Sequence, residues 1–383
     1  MMTRITLVLL ALAATAPAQT KRRTLVVARF GSAEFRDIQS AIDDARPNDI
    51  VVVRGGRYEP FVVNKGIRLV GDPEVIIEPG LGPRMLITNV PAGQTLVVRE
   101  LSPRLTFSVP DIAITDNPGH VHLERLNAPN GIGVFNSRMV SMFDVTAGGA
   151  PAVALTQSTA SFTDCDLSAQ GALFTTAAVE MTQSSATFTA GRIHGADDVL
   201  GLRGPEPGVR LHSGQLTIAG DAQTRIEAGL PAPFGVAHPP APAIEIVDGR
   251  LLLDPAVTLQ PGQGAAGTVT TGSGNVRRQQ VPTLIGSIAG GNLTLRLHAP
   301  GSQSVATLIG WPFHPPIPLP WGEMWISMFH AVLDVGMVDA SGTLTTTVGL
   351  RTFKPGTWTL MQGVVTMPSG QLLTSTPLLM TID

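Results

Sequence analysis

The chain has 383 residues, of which 14% are charged, with 41 glycines, 31 prolines and a formal net charge of −3. That length supports a substantial core and two domains, and the composition suits short strands joined by turns better than helices. The charge leaves no basic footprint for nucleic acid or an anionic membrane, and the single cysteine, Cys165, excludes an intramolecular disulfide framework.

Residues 1–18 read as a signal peptide. Arg4 supplies the positive start, "ITLVLLALAA" the apolar run, and Ala16–Ala18 a small-x-small cleavage site. The run is too short to span a bilayer, and no later stretch is longer, so the mature chain is expected to be exported and not an integral membrane protein. No cysteine stands at the cleavage site to carry a lipid anchor.

The next segment, "EFRDIQSAIDDARPNDIVVVRGGRYEP", starts at Glu34. Phe35, Ile38, Ala41, Ile42 and Ala45 fall on one helical stripe, with Arg36, Asp37, Asp43 and Asp44 elsewhere. "DIVVVRGG" then reads as a strand closed by a Gly55-Gly56 turn. Tyr58 reads as a packed turn residue.

From there to Gly274 the chain repeats. "AVALTQSTASFTDCDL" and "AVEMTQSSATFTAGRI" start at Ala152 and Ala178, and in each an apolar residue recurs nine positions later, Val153 with Phe162 and Val179 with Phe188. The same relation links Ile87 with Leu96, Ile112 with Val121, Val134 with Phe143, Val209 with Ile218 and Ile244 with Leu253. A constant strand pair at variable spacing is what a solenoid gives when loops of different length interrupt equivalent rungs. Propeller blades need about 40 residues each, and these units are shorter. Residues 24–274 are therefore expected to form a parallel β-helix, with the striped helix capping its first rung.

"NVRRQQVPTLIGS" (275–287) reads as a linker. Residues 288–383 alternate short apolar strands with Gly, Pro and Ser turns, as an antiparallel β-sandwich does. All four tryptophans, Trp311, Trp321, Trp325 and Trp358, lie in this segment. The fold class is thus all-β: a right-handed parallel β-helix with an N-terminal capping helix, followed by a small sandwich.

The opening segment also resembles a known family. Phe35, the Ile38-Gln39-x-Ala41-Ile42 helix, Val51, Gly56, Tyr58 and the Ile67-x-Leu69-x-Gly71 strand are similar to the start of right-handed parallel β-helix proteins of the pectin lyase-like superfamily, pectin esterases among them. The resemblance implies the fold; the superfamily spans esterases, lyases, hydrolases and proteins without known reaction, so it does not imply one activity. "GGNLTLRLHAPG", "DASGTLTTTV" and the closing "STPLLMTID" resemble, more loosely, terminal sandwich domains of secreted planctomycete and myxobacterial proteins, which implies an exported bacterial protein.

The family's catalytic signatures have no match here, so chemistry has to be sought in the residues themselves. Positions flanking the second anchor of each rung should point outward. They read His122, Asp144, Thr163, Thr189, Ala219 and Asp254 after it, and His120, Met142, Ser161, Thr187, Thr217 and Leu252 before it. That face is expected to be mostly Ser, Thr and Ala, without a carboxylate ladder. Asp144, Asp164 and Asp166 are the candidates for an acid/base pair or a calcium site; the plainer reading is turn aspartates bonded to nearby amides. Arg192 and His194, in "RIHGADD", are read on a protruding loop, where function is commonly grafted. His120 and His122 share a strand face and could make half a metal site, exposed surface histidines being the plainer reading; Cys165 reads as a buried small hydrophobe. Trp311, Trp321 and Trp325 would stack on sugar rings if exposed; filling the sandwich core is the plainer reading.

The leading functional reading is a secreted or cell-surface protein without catalysis, a scaffold or a surface that binds polysaccharide or cell-envelope glycan, with no cofactor and no nucleic-acid partner. The alternative is a pectin esterase-like or polysaccharide lyase-like enzyme on an acidic polysaccharide. Convergence of Asp144, Asp164 and Asp166 in a groove beside a basic side chain would sink the scaffold reading.

Overall fold

The computed structural model describes residues 22–78, 83–103, 110–170, 176–199, 204–220, 223–232, 238–265, 267–302, 304–319, 322–349 and 357–382. The expected signal peptide lies outside the described residues. Between Thr24 and Arg278 short strands recur and, among the described residues, pair only in parallel, each with its equivalent one turn earlier and later. The 15-stranded first face runs from Thr24–Val27 to Asn275–Arg278, and the nine-stranded second face from Phe61–Val63 to Val269–Thr271. This is a parallel β-helix, right-handed as parallel crossovers are.

Side chains alternate in and out along each strand, and register stacks the inward ones into columns. On the first face Val98, Leu123, Met142, Phe162, Phe188, Ile218 and Leu253 follow one another, and all are buried. Phe162 and Phe188 pack with tilted rings 6.3 Å apart.

The corners are built from two kinds of ladder. Glu100, Arg125, Asp144, Asp164 and Ala190 leave the first face with φ between 50° and 61°; Asn89, Asp116, Asn136, Gln157 and Gln183 leave the second face likewise, with φ between 46° and 56°. This left-handed conformation favours Asn and Asp among residues with a Cβ, which is why polar residues recur there. Just inside the second column the Ser137, Ser158 and Ser184 hydroxyls donate to the carbonyls of Phe135, Thr156 and Thr182. They also accept from the backbone N–H of Asn117, Ser137 and Ser158 on the preceding turn. The buried serine ladder satisfies amides that the turn leaves without sheet partners, and it is the physical content of the repeated "TQS".

The N-terminal end is closed by helix α1 (Ile38–Asp44), which buries Ile38, Ala41 and Ile42 and is capped by Asp37, whose carboxylate accepts the Ser40 N–H at 2.8 Å. Phe35 precedes the helix and bridges to Val27. Tyr58 is fully buried and donates to the Arg54 carbonyl at 2.8 Å. At the far end, register puts Arg278 after Leu253 in the inner column. An exposed arginine thus takes a place that apolar side chains hold on earlier rungs.

Several expected positions move. Met85, not Ile87, and Ile132, not Val134, align with Ile112, and Ile132 aligns with Val153. Val98 and Leu123, not Leu96 and Val121, share the column of Phe162, so Met142 points inward and Phe143 outward. Asn275–Arg278, read as linker, is the last strand of the first face.

The C-terminal part forms a three-stranded antiparallel sheet (Thr283–Ala289, Asn292–His298, Thr343–Gly349) and a five-stranded one built around Ser304–Leu319 and Thr357–Thr366. Leu293, Leu295 and Leu297 from the first meet Val305, Ile309, Met361 and Val365 from the second, which makes a sandwich. The sandwich rests on the outside of the solenoid's first face: Met139 packs among Leu308, Ile326, Leu360 and Leu379, and Phe143 joins the sandwich core. The Asp254 carboxylate accepts the Val281 N–H at 2.7 Å and pins the connection. Among the described residues no helix is long and apolar enough to cross a membrane.

Arg84 and Asp111 make a buried pair at 2.6 Å, with Asn130 also donating to Asp111. Removing one partner of a buried ion pair costs about 3–5 kcal/mol. Asp111→Ala should lower the urea-unfolding free energy by that order; a change under about 0.5 kcal/mol would show that the pair does not hold the rung.

Candidate functional site

Two adjacent strands of the first face continue past their corner onto the third side of the solenoid, Thr159–Ser168 and Ser184–His194. Their continuation places Asp166 beside Arg192, and Ser168 beside His194, in consecutive rungs; Arg225 and Glu227 follow in the next. Asp164, Asp166 and Arg192, with Ala190, Gly191, Cys165 and Gln223, line an open groove of about 400 Å³. Gly191 has φ 97°, and a Cβ there would lie 2.1 Å from the Cys165 carbonyl oxygen, so only glycine lets the rungs close up beneath the groove.

The charges around this groove are not equally free. Arg192 donates from Nε at 2.9 Å and Nη2 at 2.6 Å to Glu227 Oε2. His194 lies between two carboxylates, with Nδ1 3.4 Å from Glu227 Oε2 and Nε2 3.3 Å from Asp197 Oδ1. The carboxylates of Asp144, Asp164 and Asp166 accept no hydrogen bond from a described residue. Burial, and then the charge of Asp144, hold the Asp164 carboxyl above its ordinary range.

Of the residues expected to act together, then, Asp164, Asp166 and Arg192 share one groove, Asp144 stands close enough to act on Asp164 electrostatically, and His194 reaches it through Glu227. Arg192 and His194 are strand residues rather than loop residues, because Ile193 between them is buried in the core. Asp144 and Asp164 are corner residues by conformation, but the expected bonds to nearby amides are not made. Cys165 is buried behind the groove and its thiol is pushed up to about 12 by burial, so it supplies no thiolate nucleophile.

His120 and His122 are not surface residues. Both are buried under the sandwich, and the Ser141 hydroxyl lies between them, 2.9 Å from His120 Nε2 and 2.8 Å from His122 Nδ1. A hydroxyl can donate to one imidazole and accept from the other, and His122 Nε2 also lies 3.6 Å from Glu124 Oε2. Among the described residues no three His, Cys, Asp or Glu side chains are grouped to hold a metal ion. The outward face to which His122, Ser161, Thr187 and Thr189 belong is likewise covered. Trp321 lies outside the described residues; Trp311 and Trp325 are placed only by register, on Ser304–Leu319 and Gly322–Gly336, and their side chains also lie outside what is described.

One ladder went unread in the sequence. On the second face Glu180, Arg210 and Glu245 align on three consecutive rungs, and the Arg210 guanidinium bonds Glu245 at 2.7 Å, Glu206 at 2.5 Å and Glu180 at 3.4 Å. Each stands one position after the first anchor of its repeat, so testing both anchors rather than the second alone would have found it. All three of its nitrogens are engaged, which makes it a clamp between rungs rather than a free cation.

No family model matches the chain, and no curated protein matches it. Among solved structures it is similar to the A-module of Azotobacter vinelandii mannuronan C-5 epimerase AlgE4, with 11% sequence identity over 63% of this chain and 93% of that one and a TM-score of 0.27. A likeness of that size supports no statement about activity.

Folding raises the pKa of Asp164, so its contribution to stability is full when the carboxyl is protonated and is lost as pH rises through the folded value. Asp164→Asn should therefore raise the melting temperature at pH 7, with a gain that shrinks as pH falls toward 3. A gain equal at both pH values would mean that the charge plays no part, leaving only the tolerance of Asn for this conformation.

Proposed function

We propose that this chain is a non-catalytic, exported β-helix protein of the pectin lyase-like kind whose rungs bind an extended, neutral polysaccharide across the Asp164–Asp166 groove. The observation that carries the reading is the pair of unpartnered carboxylates in an open groove whose neighbouring cation is already bound to Glu227. Sugar hydroxyls are donors, and a hydrogen bond to a charged acceptor is worth about 1.5–3 kcal/mol. The rung spacing of about 4.8 Å lets acceptors on successive turns meet successive parts of one extended chain.

The same charges weigh against an acidic substrate here. Four carboxylates, Asp144, Asp164, Asp166 and Glu227, stand against two guanidiniums, Arg192 and Arg225 of the next rung, so a uronate would still meet a net negative field. The convergence expected of an acid/base site is incomplete: Asp144 and His194 do not line the groove, and Arg192 is committed to Glu227. In this reading the sandwich braces the first face, as its packing on Met139 and Phe143 indicates, and leaves the third side open to glycan.

Calorimetric titration with neutral hexasaccharides (gluco-, xylo- and manno-) should give binding that the double variant Asp164→Asn/Asp166→Asn weakens by about 10- to 100-fold. Reducing-end and methanol-release assays should stay flat. Absence of neutral-glycan binding would overturn the proposal, and release of new reducing ends, unsaturated products or methanol would replace it with the enzymatic alternative.

A further inference from the structure

The end of the solenoid carries cations that no carboxylate of a described residue pairs; most arginines before it are paired, Arg138 and Arg225 being among the exceptions. Arg23, Arg54, Arg57, Arg84, Arg99, Arg125, Arg192 and Arg210 each pair with a carboxylate. Arg250, Arg277 and Arg278 pair with none among the described residues. For Arg277 and Arg278 a plain reason exists: they sit on the outermost strand, where charge discourages edge-to-edge pairing. Arg250 is one rung further in and that reason does not reach it.

Register explains what Arg250 does face. Ser185, Gln215, Arg250 and Asn275 occupy one outward column on four consecutive rungs, and the four line an open concavity of about 560 Å³. Its floor is low because Gly214 and Gly249 hold φ near 117° and 118°, and a Cβ on Gly214 would fall 1.9 Å from the Ser184 carbonyl oxygen. One acid lines the concavity, Asp248, and its Oδ1 is taken up by the Gly249 N–H at 2.8 Å and the Ser273 hydroxyl at 3.3 Å.

We propose that this concavity is a second ligand site, separate from the Asp164–Asp166 groove, that takes the sulfate or phosphate ester of an anionic glycan. A planar guanidinium alone satisfies a planar carboxylate. A tetrahedral ester presents three outer oxygens, and here the amides of Gln215 and Asn275 stand one rung away on either side of the arginine, with the Ser185 hydroxyl two rungs away. No aromatic residue lines the concavity, so it has no platform on which the bases of a nucleic acid would stack. Arg277 and Arg278, on the same strand as Asn275, extend the positive field toward the end of the stack.

The test uses the full chain with dextran sulfate, a phosphomannan, unmodified dextran, oligogalacturonate and single-stranded DNA as probes. Dextran sulfate or phosphomannan should bind at least tenfold more tightly than dextran or oligogalacturonate, and the affinity should fall with added salt. Which of the two esters binds identifies the group. Arg250→Gln, at an exposed position, should weaken that binding by about tenfold with an unchanged melting temperature. Asp164→Asn/Asp166→Asn should leave it intact, so failure here and failure of the neutral-glycan site read out separately. Equal binding of dextran and both esters, equal binding by Arg250→Gln, or DNA binding as tight as the esters' would overturn the proposal.

Discussion

In a parallel β-helix each residue's nearest neighbours are the residues at the same position one turn before and one turn after, about 4.8 Å away. Everything else in this molecule follows from that stacking. A buried Phe162 requires something apolar above and below it and finds Met142 and Phe188. A serine that satisfies the turn of its own rung also serves the preceding one, so Ser137, Ser158 and Ser184 form a chain of hydrogen bonds rather than three separate caps. The same rule brings Asp166 beside Arg192 and Arg250 between Gln215 and Asn275, although these residues lie 25 or more positions apart in sequence.

The stack also sets what a face is free to do. The first face would be open to solvent in an isolated solenoid, but the sandwich packs on Met139 and Phe143 and buries the imidazoles of His120 and His122 with Ser141. That leaves the third side, where the strands run past their corner, and the start of the first face near the open end. The two sides differ in charge: the third presents Asp164 and Asp166 with Arg192 engaged by Glu227 and Arg225 in the next rung, and the open end presents Arg250, Arg277 and Arg278, which no carboxylate of a described residue pairs.

Much of the fold was legible because stacking writes itself into sequence as recurrence. The helix stripe of Ile38, Ala41 and Ile42, and the anchors Val153, Val179, Val209 and Ile244, all hold their expected inward places. The rungs at Met85 and Ile132 were misread by two residues because Ile87 and Val134 also point inward and Phe143, though apolar, points at the sandwich. Asp164, Asp166 and Arg192 could be named from sequence, but their shared groove could not, because it depends on Gly191 letting two rungs close over Cys165. Burial of His120 and His122 was illegible for a simpler reason: a strand pattern says which way a side chain points and not what lies over it.

The claim on which the rest turns is that a neutral glycan lies along the rungs in the Asp164–Asp166 groove. Backbone amide chemical-shift mapping with a neutral hexasaccharide tests it directly. Shifts confined to residues 164–166 and 190–192 and the neighbouring Gln223 would agree with the account. Shifts centred on the sandwich, or on the Glu180–Arg210–Glu245 ladder, would contradict it.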